Sequence, residues 1–192
     1  MGDIRDTILE VAAKRFIQYG YHKTTVEEIA RDADIGKGSI YLHFKSKEEI
    51  LLELVRLFRT ELVGKWIEIQ KSRCTPERKL YHLLKTRLNY VMDKKTSIFS
   101  FSVKPERLLQ KIVGVAEEFK PQYLAILESV LSEGEHKGIF HIKDRSEVAT
   151  ILYEMVSNIL YRINFDQNFP YESYFESTFS LMVQGLLQKN KK

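Results

Sequence analysis

Apolar residues recur along most of the chain at three- and four-residue steps, the spacing of one face of an α-helix. Ile4, Ile8, Ala12 and Phe16 form the first such stripe, and Gly20 follows it as a residue able to take the left-handed end of a helix. Thr25 and Glu28 have the spacing of a capping box ahead of Ile29, Ala30 and Ala33. Gly36 then allows a tight turn after Ile35, and a short second helix is expected from Lys37 to about Phe44. Ile40 and Phe44, four apart, anchor that helix inward, which leaves Lys37, Ser39, Tyr41, Leu42 and His43 with outward-facing options. Three helices, the last two in helix-turn-helix spacing, make an N-terminal module.

Ser46 and Glu49 read as another capping box, opening a long helix with Leu51, Val55, Phe58, Leu62, Trp66 and Ile69 on one side. No glycine-proline break separates it from the module, so it couples the two parts of the chain rigidly. Thr75, Pro76 and Glu77 supply a cap, an N1 proline and an early acid for a helix carrying Leu80, Leu84 and Val91. Between 96 and 121 the pattern is mixed: Ser97 to Val103 alternates weakly like a strand, whereas Pro105, Glu106 and Arg107 read as a helix start, and the region is taken as helical. Tyr123, Ile126, Leu127, Val130 and Leu131 mark the next helix, closed by Gly134 or Gly138. Asp144 and Glu147 form a capping box before Val148, Leu152, Met155, Val156, Ile159 and Ile163. A last helix begins near Pro170 and carries Tyr174, Phe175, Phe179, Met182 and Leu186, ahead of a frayed basic tail at 189–192. The expected architecture is all-α: residues 1–46 a helix-turn-helix DNA-binding domain, residues 47–192 a larger helical ligand-binding and dimerisation domain.

Composition narrows the class. The 192 residues are 44% hydrophobic, enough to pack a core. The lone Cys74 cannot form an internal disulfide, and no apolar run approaches the roughly 20 residues of a membrane helix. No signal peptide is read at the start, and Asp6 stands where a myristoylation signal needs Ser or Thr, so a cytoplasmic protein is expected. The net charge of +4 is uneven. Residues 1–46 carry seven basic and seven acidic side chains, yet from Ile35 to Lys47 there are Lys37, Lys45 and Lys47 and no acid. The outward face can therefore be positive on a neutral module. The surplus lies between 71 and 111, with eleven basic against three acidic side chains, and reads as a solvated helix surface.

Lys47 stands in the first turn of the long helix, where its ammonium gains nothing from the helix dipole, which suggests an anionic partner. Gly20-Tyr21, Thr24-Thr25, Ile29-Ala30, Ile35-Gly36-Lys37-Gly38, Ser39 to Phe44 and Ser46 to Glu49 together resemble the DNA-binding region of the TetR family of bacterial transcriptional regulators. The motif likeness spans roughly residues 4–55; the remainder agrees with the family in length, helical pattern and order. The resemblance implies a DNA-binding set of Thr25, Lys37, Gly38, Ser39, Tyr41, Leu42, His43 and Lys47. Tyr41, His43, Lys47 and Thr25 have hydrogen-bond donors for phosphates, Lys37 and Ser39 could reach base edges, and Gly38 is small enough for close approach. Leu42 departs from the aromatic common there, so one phosphate or thymine-methyl contact differs. The resemblance also implies a repressor that binds a small effector and then leaves its operator.

Arg87 is a cation on the otherwise apolar stripe of Leu80, Leu84 and Val91, and a buried guanidinium needs partners. It is the anchor of an anionic effector, a structural pair with an acid such as Glu154, or a cation whose stem snorkels out to solvent. Trp66, Phe99, Phe101, Tyr123 and Tyr153 could line a cavity for a largely apolar molecule, or be plain core. Leu152, Val156, Ile159 and Ile163 with Phe175, Phe179, Met182 and Leu186 offer more apolar surface than one helix pair buries, so they are expected at a homodimer interface. Twofold symmetry then asks for a near-palindromic double-stranded operator.

The five histidines are scattered, and none stands at metal-ligand spacing with Cys74, so neither a metal nor a cofactor is expected. No phosphate-cradling glycine loop or nucleophile elbow supports an enzyme. Two rivals remain: a constitutive architectural DNA-binding protein without a ligand, and a ligand-binding module that no longer binds DNA.

Overall fold

The computed structural model describes residues 3–93, 106–166 and 168–187. Their regular elements are all helices, as expected, and no strand occurs among them beyond one isolated antiparallel bridge between Phe140 and Leu187. In chain order the helices are α1 (Ile4–Tyr19), α2 (Val26–Asp32), α3 (Lys37–His43), α4 (Lys47–Lys71), α5 (Pro76–Met92), α6 (Glu106–Glu118), α7 (Lys120–His136), α8 (Arg145–Phe165) and α9 (Tyr171–Leu186). The segment Ser97 to Val103, with its weak alternation, lies outside the described residues.

The chain forms two compact units, one from the described residues of 1–60 and 92–118, the other from those of 61–91 and 119–192. In the first, Ile8, Ala12 and Phe16 of α1 are fully buried with Ile29 of α2, beside Ile40 of α3 and Ile50 and Leu51 of α4. Burying each large apolar side chain contributes about 1.5–3 kcal/mol. Ile4, on the same predicted stripe, is 47% exposed, because α1 begins there and only its later turns face the core. Arg15 ties α1 to α2 through Glu28 at 2.9 Å and through Asp32. From α6 the buried Leu108, Ile112 and Val115 complete this unit, with Arg56 paired to Glu118 at 3.3 Å.

The second unit has its core in Leu62 and Trp66 of α4, Leu80, Leu83, Leu84 and Leu88 of α5, Tyr123, Leu127, Val130 and Leu131 of α7, and Leu152, Val156 and Ile159 of α8. Two glycines shape it. Gly138, at φ +66°, ends α7, with its N–H bonded to Glu135 and that of Ile139 to Gly134, the paired bonds of a Schellman cap. Gly134 is inside α7: a Cβ there would stand 2.0 Å from Phe140 Cδ2, so the ring packs where a side chain would be. Of the two glycines expected to close α7, Gly138 does so.

Candidate DNA-reading surface and aromatic cluster

The reading surface begins with two turns. Thr25 caps α2 as the sequence indicates: its Oγ1 accepts from the Glu28 N–H at 3.2 Å while the Glu28 carboxylate accepts from the Thr25 N–H at 2.9 Å. That bond from the Thr25 N–H is the main cause holding the Glu28 carboxyl below its ordinary range, with Arg15 adding to it. The turn into α3 differs from expectation. Gly36 has φ −68°, open to any residue, and the left-handed position is taken by Asp34 at φ +55°. The Asp34 N–H bonds to Arg31 and that of Ile35 to Ala30, so α2 ends in a Schellman cap with aspartate where glycine is usual. Aspartate tolerates that conformation better than most residues.

This frame buries Ile40 and Phe44 and holds the rest of α3 outward. Leu42 is 85% exposed and Tyr41 48%; Lys37, Gly38 and His43 are exposed, Ser39 half-buried, and Thr25 exposed at the start of α2. Among the described residues nothing lies within 4 Å of where a Gly38 Cβ would be, so no packing among them requires glycine there. The Lys37 ammonium lies 2.5 Å from the Glu27 carboxylate and 5.8 Å from the Tyr41 ring centroid. Glu27 raises the Lys37 pKa, and Lys37 in turn holds Glu27 below its ordinary range.

Lys47 is half-buried rather than free on the surface. Its Nζ donates to the carbonyl of Tyr21 at 2.7 Å and of Thr24 at 2.6 Å, and lies 4.3 Å from the Tyr21 ring centroid. Burial pushes its pKa down. The partners that compensate a cation in the first turn of α4 are thus two carbonyls of the loop between α1 and α2, and one N–H of the three remains for another acceptor. Ser46 accepts from the Glu49 N–H at 3.2 Å, but Glu49 reaches past Ser46 to the Lys45 N–H at 2.5 Å, so the expected box closes one residue early.

Four of the six residues singled out for a ligand meet in the second unit. The ring of fully buried Trp66 meets Tyr123 edge-on at 4.8 Å, and Tyr123 stacks on Tyr153 at 6.1 Å. The Arg87 guanidinium covers Tyr153 at 3.8 Å. Arg87, 5% exposed, donates to the Tyr153 carbonyl at 2.7 Å and to Ser157 Oγ at 2.8 Å. Glu154, the acid considered for it, lies 3.8 Å from Lys120. The Trp66 indole N–H is buried without a hydrogen-bond acceptor among the described residues. Phe99 and Phe101 lie outside the described residues.

The residues expected at a dimer interface divide. Leu152, Val156, Ile159 and Ile163 of α8 and Phe175 of α9 are buried within the chain, while Phe179, Met182 and Leu186 are half-buried. The large apolar side chains α8 and α9 expose include Ile151 at 46% and Leu181 at 72%, beside a groove of about 300 Å³ whose lining includes Val148, Leu152, Met182 and Leu186. The sequence reading missed Ile151 and Leu181 because each lies one position from the inward stripe. Their apolar character on the otherwise outward side was the available signal.

Among the described residues no cluster of His, Cys, Asp or Glu could hold a metal ion, and no helix is long and apolar enough to cross a membrane.

Comparison with known proteins agrees with the geometry of α1 to α4. Residues 8–54 match the profile of bacterial regulatory proteins of the tetR family. The chain is 31% identical over 137 residues to the transcriptional repressor KstR2 of Mycobacterium tuberculosis, covering 71% of this chain and 68% of that protein. It is 27% identical over 161 residues to the transcriptional regulator QacR of Staphylococcus aureus, covering 82% and 85%. The structure of the regulator FadR of Bacillus subtilis in complex with stearoyl-CoA superposes with a TM-score of 0.68 at 25% identity, over 94% of this chain and 98% of that one. The chain belongs to the TetR family of bacterial regulators, and it is a DNA-binding transcriptional regulator, not an enzyme.

Proposed function

We propose that the protein is a cytoplasmic, homodimeric repressor whose residues 1–46 read a near-palindromic operator and whose residues 47–192 bind a small effector and dimerise. The observation that carries the reading is the α3 face, where Lys37, Gly38, Tyr41, Leu42 and His43 are held outward by the buried Ile40 and Phe44. Ser39 joins that face, and Thr25 with the remaining N–H of Lys47 fixes register on phosphates. Selection from random duplexes with the purified protein should enrich a two-half-site sequence at low salt. No enrichment would sink the reading.

The dimer contact is best placed on the exposed flank of α8 and α9, with Ile151 and Leu181 joining Phe179, Met182 and Leu186. Leu152, Val156, Ile159, Ile163 and Phe175 support that surface from inside. Sedimentation at micromolar concentration should show a dimer, and Leu181→Glu a monomer.

For the effector, the cluster of Trp66, Arg87, Tyr123 and Tyr153 favours a molecule with a long apolar part and an anionic group, to which the buried indole N–H offers a hydrogen bond. The stearoyl-CoA bound by the Bacillus subtilis regulator has that character. Trp66 is the one tryptophan of the sequence, so its fluorescence reports on the cluster directly. Titration with a long-chain acyl-CoA should change that emission and release the operator; emission and operator binding that both stay constant would reject this class. The unbroken α4 contributes residues to both units and is the proposed route of the response, with a coupling of about 1–3 kcal/mol expected between effector and operator.

A further inference from the structure

Arg162, in the last turn of α8, is held by rings and not by an acid. Its guanidinium lies 4.2 Å from the Phe169 ring centroid and 5.3 Å from that of Tyr174, and among the described residues no carboxylate pairs with it. Asp166, four residues on, accepts from the Asn168 N–H at 3.0 Å instead. Two turns earlier Glu154 is 61% exposed, with Lys120 at 3.8 Å, the loose end of ion-pair range. Ile151, Glu154, Asn158, Tyr161 and Arg162 are all exposed and follow at three- and four-residue steps, so they share one face of α8.

We propose that α8 packs antiparallel against α8 of a second copy, with the twofold axis at Asn158 and Arg162 of each copy facing the partner's Glu154. The inference rests on the dimer contact proposed for the α8–α9 flank and gives that contact its register. In a twofold contact residue i meets j and j meets i. Glu154 and Arg162 each stand four residues from Asn158, about 12 Å from one another along the helix, too far to pair within it. Reversing the helix about Asn158 sets each against its opposite charge, twice. The three residues lie on one i±4n row, the row that interdigitates in the commonest helix crossing. Asn158 carries donors and an acceptor on one amide, so at the axis it can bond its own copy, as a polar residue fixes register in a coiled coil. Other arrangements set like charges together: a parallel pairing faces Glu154 with Glu154 and Arg162 with Arg162, and an axis one turn away centres on one of them. The rings on Arg162 hold its guanidinium in place beforehand, which lowers the cost of ordering it on contact.

Charge reversal tests the register. Arg162→Glu and Glu154→Arg each place two like-charged pairs in the homodimer, and sedimentation at low salt should show dimer affinity lowered by about 10- to 100-fold for either. Raising the salt should shrink that loss. Mixing the two variants restores both pairs, so native mass spectrometry should find nearly all dimer as heterodimer, and the chain carrying both changes should dimerise as wild type does. Should Glu154→Arg melt low through repulsion with Lys120, Lys120→Gln is added to it. Single variants that dimerise as wild type, or a mixture that stays monomeric or pairs at random, would overturn the register. Leu181→Glu separates this from the reading beneath it. If Leu181→Glu is monomeric while the charge variants behave as wild type, only the register fails; if all three remain dimers of wild-type affinity, the dimer contact on this flank fails with it.

Discussion

The outward face of α3 and the cluster around Trp66 place chemically capable side chains in opposite ways. On α3 the frame alone is buried: Ile40 and Phe44 pack inward and Leu42 stands 85% exposed with no internal task. Around Trp66 the capable side chains pack against one another, ring on ring and guanidinium on ring and carbonyl. A surface that reads a rigid duplex needs preformed geometry and open donors. A site for a small molecule of variable shape can instead be core until something displaces it. Substitutions should therefore cost stability in the cluster and binding on the face.

The largest effect is expected at Trp66. Truncating this fully buried side chain to alanine should cost about 3–5 kcal/mol of stability, read as a lower midpoint of denaturant unfolding. Unfolding unchanged within about 1 kcal/mol would mean that the cluster is not core, and the contrast would fail.

Glycines sharpen the contrast next, because the same change has opposite signs in the two regions. At Gly134 a Cβ meets the Phe140 ring, so Gly134→Ala should cost about 1–3 kcal/mol through overpacking. At Gly38 the space is open and the position is helical, so Gly38→Ala should stabilise by about 0.5–1 kcal/mol. Operator affinity should nevertheless fall at Gly38 if DNA approaches the backbone there. Thermal melts of the two variants beside binding isotherms check both signs.

How much of this was legible follows from the range of the forces involved. The Thr25–Glu28 box, the inward pair Ile40 and Phe44, and the stripe on α1 from Ile8 onward are local, fixed by spacing within a few residues. Asp34 in place of Gly36 at the turn was hidden, because both residues tolerate turns and the distinction depends on where α2 unwinds. The partners of Lys47 were hidden for a different reason: Tyr21 and Thr24 are 26 and 23 residues away, and a backbone carbonyl leaves no mark in a sequence. Likewise the inward stripe of α8 was visible as apolar, but whether it faced this chain or a second copy was not. Ile151 and Leu181, off that stripe, are the exposed ones.

The capping box at Thr25 ranks third. Thr25→Ala should lose about 1 kcal/mol, and Thr25→Ser much less, since serine retains the acceptor. The box also predicts an acid response. Glu28 in the folded chain has its pKa below the ordinary 4.5, so its contribution is complete at neutral pH and is lost as pH falls from the ordinary value through the lowered one. Asp32, lowered chiefly by its hydrogen bond with Arg15, adds in the same direction below its ordinary 3.8. Glu28→Gln should flatten the fall in melting temperature over that acid window.

The smallest effect on stability, and the cleanest test of the reading face, belongs to Leu42. With 85% of its surface already in water, Leu42→Ala removes almost no burial and should shift stability by less than about 0.5 kcal/mol. Its apolar side chain has one evident match in a major groove, the C5-methyl of thymine, since phosphates and base edges otherwise present polar atoms. Loss of that contact should weaken operator binding by about 1–3 kcal/mol, with little change on random duplex. Deoxyuridine in place of each operator thymine in turn removes only the methyl. At one position per half-site it should reproduce the loss for the wild-type protein and cost nothing further for Leu42→Ala. If no thymine behaves in this way, Leu42 is an exposed residue beside the DNA rather than part of what reads it.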